Sequence, residues 1–561
     1  MRNLRIFMLA ALLILVATIA WAKTTSPPLK SAITISASDV RASQEQIMPT
    51  ITWGGDIATY YANGNSDVTK PGSLFAKKGL KLRLVRVDKF KDQVEMYLRG
   101  ETPYLRGTLG MINMAAEKVS QYPETKPIVV YQMTWSTAGD CIVAKAGINK
   151  PADLKGKTIA VQAYGPHVDF LANIITSAGL QMSDINIHWV EDLTGDGDTP
   201  AKALELPNVD AAMVIVPDGN VLSSGGKVGK GSEGSIKGVT IMFTTKSAPR
   251  IIADVIAVRP DYFKANKKAV RDLVHLLIKA NDQVSDIVKN KSRNVAPFKS
   301  LMRAAALHLL DSELATADAE GLYLDCTYVG FAGNVKFFTD KKWPRHFDKM
   351  NKEIQSSFMS LGLMSKRVPI AQANWDYDAL KSGVSVKQAE AQVFNQAELA
   401  RVVETKSAQG TLADGELFSL EIYFKPNQDA FPFEAYAKDF AQIVKLAATY
   451  AGAVITVEGH SDPMRLLRLM KDNKPETEIR QTRQSAKNLS VKRAMAVRDS
   501  IIKYSQQQGV SLDVSQFATI GHGVDHPKYA SPQNEDQWRK NMRVVFRVVR
   551  IEAESSVFKP L

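Results

Sequence analysis

An aspartate in a turn after a strand and an arginine on the helix that follows carry the most specific chemistry in this sequence. Asp462 lies in Glu458-Gly459-His460-Ser461-Asp462-Pro463, directly after the apolar, β-branched run Ala453–Val457. Gly459 and Pro463 both stop regular structure, which leaves Asp462 at an exposed lip. Arg493 lies in Leu489-Ser490-Val491-Lys492-Arg493-Ala494. Ser490 reads as an N-cap, and Ala494, Val497 and Ile501 then recur on one helical face. Arg493 is therefore expected in the first turn, off the buried stripe and free to point at whatever Asp462 faces. Such a pair suits a ligand carrying both an ammonium and a carboxylate, because the guanidinium grips the carboxylate through two parallel hydrogen bonds while the aspartate neutralises the ammonium. The plainer alternative is an exposed ion pair that binds nothing.

Further landmarks follow: Gly521-His522-Gly523, Pro527 and Asn541-Met542-Arg543-Val544. With the two segments above, and in this order, they resemble the OmpA-like peptidoglycan-binding domain over roughly Leu417–Ile551. The resemblance implies that Asp462 and Arg493 hold the diaminopimelate of a peptidoglycan stem peptide. Three departures stand out: a charged insert from Met464 to Lys487, Ala486 where the pattern has asparagine, and Met542 where it has arginine. The elements expected to position the pair are strand Glu421–Phe424, helix Glu434–Thr449, strand Ala453–Val457, helix Ser490–Tyr504 and strand Arg543–Arg550.

With 561 residues and 45% hydrophobic content, the chain is long enough for two or three cored domains. Its net charge of +13 is spread along the whole length with acids interleaved, which argues against a nucleic-acid partner and favours anionic envelope surfaces. Arg2 and Arg5 precede the apolar run Ile6–Ala22, which ends in Ala20-Trp21-Ala22. Residues 1–22 are therefore either a cleaved signal peptide or a retained inner-membrane anchor, and everything after about Lys23 is exported to the periplasm. Residues 23–50 read as a polar spacer. Cys141 and Cys326, in no metal-ligand spacing, either pair in that oxidising compartment or remain free thiols.

From Ile51 to about residue 345, short β runs alternate with helical patterns: Leu80–Val87, Ile128–Met133, Ile142–Lys145, Thr158–Gln162 and Ala211–Val216 as strands, Lys91–Arg99 and His167–Ala178 as helices. Alternation of this kind predicts α/β architecture with mostly parallel sheets. The segment Asn149-Lys150-Pro151-Ala152-Asp153-Leu154-Lys155-Gly156-Lys157-Thr158-Ile159-Ala160, the later Val209-Asp210-Ala211, and Ile252–Val258 followed by Pro260-Asp261-Tyr262-Phe263 resemble the periplasmic solute-binding proteins of ABC transporters, in the branch that takes sulfonates, nitrate and thiamine-precursor-like compounds. This resemblance spans roughly 51–380 and implies two lobes hinged about a cleft. Ligands on such sheets sit at strand ends and helix N-termini. The cleft candidates are then Trp53, Gly54, Asp56, Thr108, Thr134, Trp135, Ser136, Tyr164, His167 and Asp218. The helix start at His167 could hold an anionic group, and Trp53 and Trp135 either cover a planar ligand face or belong to the core.

Two motifs are set aside. Gly229-Lys230-Gly231-Ser232-Glu233-Gly234 matches a dinucleotide fingerprint but lacks a preceding strand, so a glycine-rich loop on the second lobe is expected. His522, Asp525 and His526 fall in a predicted loop, and no metal or other cofactor is expected there. No nucleophile elbow, Cys-x-x-Cys or His-Glu-x-x-His occurs, so no enzyme activity is expected. The sequence thus reads as α/β, a two-lobed periplasmic-binding-protein fold (51–380), a helical linker (381–415) and an α+β OmpA-like domain (416–552). The expected function is capture of a small anionic solute by an envelope protein tethered to peptidoglycan, with an ABC permease or other envelope proteins as partners. The alternative is a scaffold linking inner membrane and wall.

Overall fold

The computed structural model describes residues 26–231, 234–386, 394–411, 416–429 and 433–549. The signal or anchor segment 1–22 lies outside them. Among the described residues, no helix is long and apolar enough to cross a membrane.

Two α/β lobes come first. In lobe one, β1 (Gln46–Thr50) and β2 (Leu82–Arg86) pair in parallel. Beside them a sheet runs in the order β11-β4-β10-β3, made of β3 (Tyr104–Thr108), β4 (Ile128–Ser136), β10 (Ala253–Val258) and β11 (Cys326–Tyr328), with β12 (Ala371–Gln372) alongside β4. Lobe two is the five-stranded sheet β7-β6-β8-β5-β9, from β5 (Asp140–Ala144), β6 (Thr158–Gln162), β7 (Asn186–Val190), β8 (Ala211–Ile215) and β9 (Thr240–Thr244). The chain passes between lobes twice, from β4 into β5 and from β9 into β10, which is the connectivity of a hinge.

The expected strands are found, but the sheets are mixed rather than mostly parallel. β10 runs antiparallel to β3 and β4, and β5 antiparallel to β8 and β9. A strand that crosses from the other lobe enters its sheet from the far end and so runs against its neighbours. The strands β5, β8 and β10 are almost wholly buried apolar runs, as strands covered on both faces must be.

Residues 26–50 are not a spacer. Leu29 and Ile33 are 1% exposed in the lobe-one core, and β1 is a paired strand. Alternation in Gln46–Thr50 is hidden by Pro49, and a four-residue helix, Leu29–Ala32, is too short to show periodicity. Trp375 donates to the Val130 carbonyl and Leu380 is fully buried, so the tail of the front module packs back on lobe one. Cys141 and Cys326 are free thiols. Part of the glycine-rich loop (232–233), of the connector (387–393) and of the boundary near Gly415 (412–415) lies outside the described residues. The connector helix Gln396–Ala408 is no free spacer, since Leu399, Val402 and Val403 pack with Val454 and Ala518 of the last module.

That module is the four-stranded sheet β13-β16-β14-β15, from β13 (Glu416–Tyr423), β14 (Val454–Gly459), β15 (Phe517–Gly521) and β16 (Arg543–Val549). Its α-helices are Ala437–Thr449, Met464–Lys471, the long Glu476–Gln507 and the short Glu535–Asn541. It is docked on lobe two. Tyr450, fully buried, packs against Phe243 and Phe418, and its hydroxyl bonds Asn173. A methyl group on Gly452 would lie 1.8 Å from the Lys246 carbonyl oxygen, so only glycine permits this approach.

Candidate functional site

Two places bring the expected residues together. The first is the junction of the lobes. In lobe one, α1 (Asp56–Ala62) follows the Trp53-Gly54-Gly55 turn, and α2 (Leu109–Val119) follows β3. In lobe two, α3 (His167–Ser177) follows β6 and α4 (Val216–Leu222) follows β8. Strand ends and helix starts from both lobes therefore converge here.

The floor is a buried polar network. Arg106 on β3 lies 2.8 Å from Asp56 and 2.6 Å from Asp254, with all three side chains nearly inaccessible. Thr134 donates to the other Asp254 oxygen at 2.8 Å, and the Trp53 indole N–H donates to Thr134 at 3.1 Å. Across the hinge, Ser136 donates to Asp140 at 2.6 Å, His167 Nε2 meets the other Asp140 oxygen at 2.7 Å, and Thr245 bonds Ser136. Burial pushes Asp56 up to about 7, overriding the opposing pull of Arg106. Burial also raises Asp218, against His167, and raises Asp325 to about 6, with Asp140 adding to the rise.

Trp53, Gly54, Asp56, Thr134, Ser136, His167 and Asp218 thus share one neighbourhood. Three other candidates do not serve it. Trp135 is a core residue, edge-on to Phe337 and Trp343. The Thr108 hydroxyl is occupied in capping α2, accepting from Met111 N. Tyr164 donates to the Pro27 carbonyl at the edge of the lobe. Arg106, Asp140, Asp254 and Thr245 were missed, although charges inside otherwise apolar runs, Asp254 in Ile252–Val258 above all, mark buried partners.

The mouth of this junction is filled by the chain itself. The last turn of α5 (Thr316–Leu324) lies over Gly54, where a methyl group would fall 1.9 Å from the Leu322 carbonyl oxygen. Thr137 and Ala138 both donate to the Asp325 carbonyl, and Tyr328 donates to that of Gly54. The lobes are also tied across. Lys89 of lobe one pairs with Glu191 and Asp192 of lobe two. The helix α6 (Phe347–Ser360) holds Asn113 through Asn351 and Gln355, and Asn173 through Glu353. A surface cavity of about 740 Å³ lies elsewhere, against residues such as Val40, Leu82 and Tyr262, and none of the cleft candidates lines it.

Asp169 on α3 adds a pH-sensitive element. Its side chain abuts the α2 start at Gly110, and burial lifts its carboxyl to about 7 despite Arg345. The folded state holds this proton more tightly than the unfolded chain. The contribution is therefore fully present below the ordinary carboxyl value of 3.8 and is lost as pH rises through about 7. Asp169→Asn is expected to flatten this dependence, gaining about 2–4 kcal/mol on the parent between pH 5 and pH 8. Denaturant unfolding at both pH values checks it, and an unchanged slope would refute the assignment.

The second place is the end of β14. Asp462 is half-buried, accepting from Met464 N at 2.9 Å and from Asn541 at 3.4 Å, and burial raises its carboxyl. Arg493 is not free. It sits in the interior of α9 (Glu476–Gln507), after α7 (Ala437–Thr449) and α8 (Met464–Lys471), and is 1% exposed. Its guanidinium donates to the carbonyls of Gln428 (2.8 Å), His460 (3.1 Å) and Lys425 (3.1 Å), and lies over the Phe424 ring. Burial lowers it to about 10, so it stays charged near neutrality.

Ser490 is no N-cap, because the insert Met464–Lys487 forms α8 and the front of α9 and moves the helix start back to Glu476. Mid-helix, Ser490 accepts from Gly523 N and so ties α9 to the β15 loop. Gly459 is required beneath it, since a methyl group there would lie 1.8 Å from the Ser490 carbonyl oxygen. Of the altered positions, Ala486 offers its carbonyl to Ser461, and Met542 is buried.

Two mixed α/β lobes are thus joined by a double crossover, and ionisable groups from both converge at the hinge. The family described as "NMT1/THI5 like" matches residues 69–286, within those lobes. No curated protein matches the chain by sequence. Among solved structures, the periplasmic aliphatic sulphonate binding protein SsuA of Escherichia coli is similar at 16% identity and TM-score 0.41, covering 63% of this chain and 97% of its own. The alkanesulfonate-binding SsuA of Xanthomonas axonopodis pv. citri, bound to MOPS, is similar at 14% identity and TM-score 0.39, covering 60% of this chain and 100% of its own. The desulfurization enzyme DszB is similar at 13% identity and TM-score 0.34, covering 60% and 99%. At these scores they are likenesses only. Cys326, against Gly54, is no activated nucleophile, because burial and Asp254 push its thiol well up.

Proposed function

We propose that the chain is a periplasmic solute-binding protein held to the cell wall by its C-terminal module, with Asp462 and Arg493 as the diaminopimelate grip. The solute reading rests on the buried network at the crossing strands, which a purely structural hinge does not need. The ionisable groups gathered there are Asp56, Asp140, Asp218, Asp254 and Asp325 against Arg106 and His167, and Arg106 is already spent between two aspartates. The expectation of an anionic solute therefore gives way to one of a solute rich in hydrogen-bond donors or positively charged. Entry requires the end of α5 to swing off Gly54.

The wall reading is supported by the placement of Asp462 at the lip of β14 beside the α8 start, and of Arg493 against the same strand end through the His460 carbonyl. A ligand carboxylate reaches Arg493 by replacing the Lys425 and Gln428 carbonyls, which belong to one loop and can leave together. Retention then comes from many weak sites along the polymer. Co-sedimentation of the full chain with purified diaminopimelate-containing sacculi tests this. Retention that a free stem peptide competes away is expected, and a chain left wholly in the supernatant would overturn the tether.

A second reading, a scaffold that has ceased to bind a solute, is favoured by the self-filled mouth and by the ties of Lys89 and α6 across the lobes. A neighbouring permease would serve the first reading and other envelope proteins the second.

A further inference from the structure

We propose that Glu458, His460 and His522 form a binding site for a divalent transition-metal ion, with Zn²⁺ as the fitting occupant. The strand register builds it. β14 and β15 run parallel with Gly459 opposite Gly521, so the next residues, His460 and His522, emerge side by side, while Glu458 lies two positions before His460 on β14. The backbone fixes both: His460 N donates to the Arg543 carbonyl and His522 N to that of Gly459. One ligand atom from each of the three side chains lies within 4.8 Å of the others. Donors around a bound metal are about 2 Å from the ion, so the His460 and His522 rings, stacked with centroids 4.8 Å apart and 25° between their planes, must close and turn to aim their nitrogens at one point.

The independent observation is His460 itself. It is 3% exposed, and among the described residues neither of its ring nitrogens has a hydrogen-bond partner. A buried imidazole with both nitrogens orphaned is costly unless something takes a lone pair. The carboxylate is arranged to match. Glu458 Oε1 is occupied by Arg547 and Thr456, leaving Oε2 turned toward His522 Nε2 at 3.4 Å. This is the pattern of a ligand oriented by an outer hydrogen-bonding shell. The His526 ring lies on the solvent side 4.9 Å from that of His522, outside the three-residue donor set, and joins it only by turning inward.

Two guanidiniums also face the site from β16, Arg543 and Arg547, and their charge opposes a cation. They are offset locally, Arg547 by Glu416 and Glu458, and Arg543 by Glu421. Three carboxylates thus stand against two cations before any metal arrives. Two or three imidazoles with one carboxylate select a borderline metal such as Zn²⁺ over Ca²⁺ or Mg²⁺, which prefer all-oxygen sites.

The test uses the full chain equilibrated with Zn²⁺, freed of excess metal by dialysis, and assayed for bound metal by mass spectrometry of the digest, with Co²⁺ absorption as a second readout. About one Zn²⁺ per chain is expected, with a visible Co²⁺ band of low-coordinate type. His460→Gln and His522→Gln should each weaken binding at least about tenfold, His526→Gln less, and His188→Gln not at all. Glu458→Gln is the riskier variant because it also unpairs Arg547, so the Co²⁺ band of the unaltered chain and its shift in His526→Gln carry the test if it misfolds. Absence of stoichiometric Zn²⁺ and Co²⁺ binding, or binding unchanged in the His460→Gln/His522→Gln double variant, would overturn the site.

Discussion

Arg106→Ala is expected to cost about 3–5 kcal/mol of stability. The substitution leaves Asp56 and Asp254, both essentially inaccessible, without the cation that lies between them. Their carboxyls then rise further, so the folded variant binds more protons than the parent and its deficit grows with pH. Unfolding measured at pH 5 and pH 8 should show a small deficit at the first and a large one at the second. Arg106→Lys should not rescue it, because one ammonium cannot reach two carboxylates on opposite sides as a guanidinium does. A deficit below about 1 kcal/mol at pH 8 would mean that the network is not buried as described.

Arg493→Ala is expected to lower retention on sacculi at least about tenfold. Asp462→Asn, which changes charge and almost no volume, should do nearly the same. Arg493 also pins the Lys425–Gln428 loop through two carbonyl bonds, so its loss should loosen that loop. Hydrogen exchange at 425–429 separates the two effects. Asp462→Asn should weaken wall binding with the loop unchanged, whereas Arg493→Ala should do both. Full retention by Asp462→Asn would remove Asp462 from the grip.

What the sequence showed and what it hid divide along one physical line. Thr158–Gln162, Ala211–Val216 and the β14 run announce themselves by local composition, and Pro463 marks the turn that places Asp462, whereas Gly459 stays within β14 and serves the close approach of α9. Contacts between distant segments leave no local mark. Arg106 meets Asp254 across more than a hundred residues, and the Arg493 partners at Lys425 and Gln428 lie in a loop that its own helix says nothing about. Ser490 looked like a cap because it is a good capping residue, and the charged insert that prolongs the helix before it outweighed that local preference. β15 was missed for a similar reason: Phe517–Gly521 is short, and its strand character comes from pairing with β14. Trp135 and Tyr164 were placed by strand ends, and packing against Phe337, Trp343 and Pro27 decided otherwise.

Native mass spectrometry of the full chain, released gently from the cell envelope, tests the central claim most directly. A wall-held solute-binding protein is expected to carry one small, donor-rich or basic molecule, and to lose it when Asp254→Asn or Trp53→Ala alters the floor of the junction. A chain that co-sediments with sacculi yet carries no small molecule, and takes none up from an envelope extract, would contradict solute capture and leave the scaffold in its place.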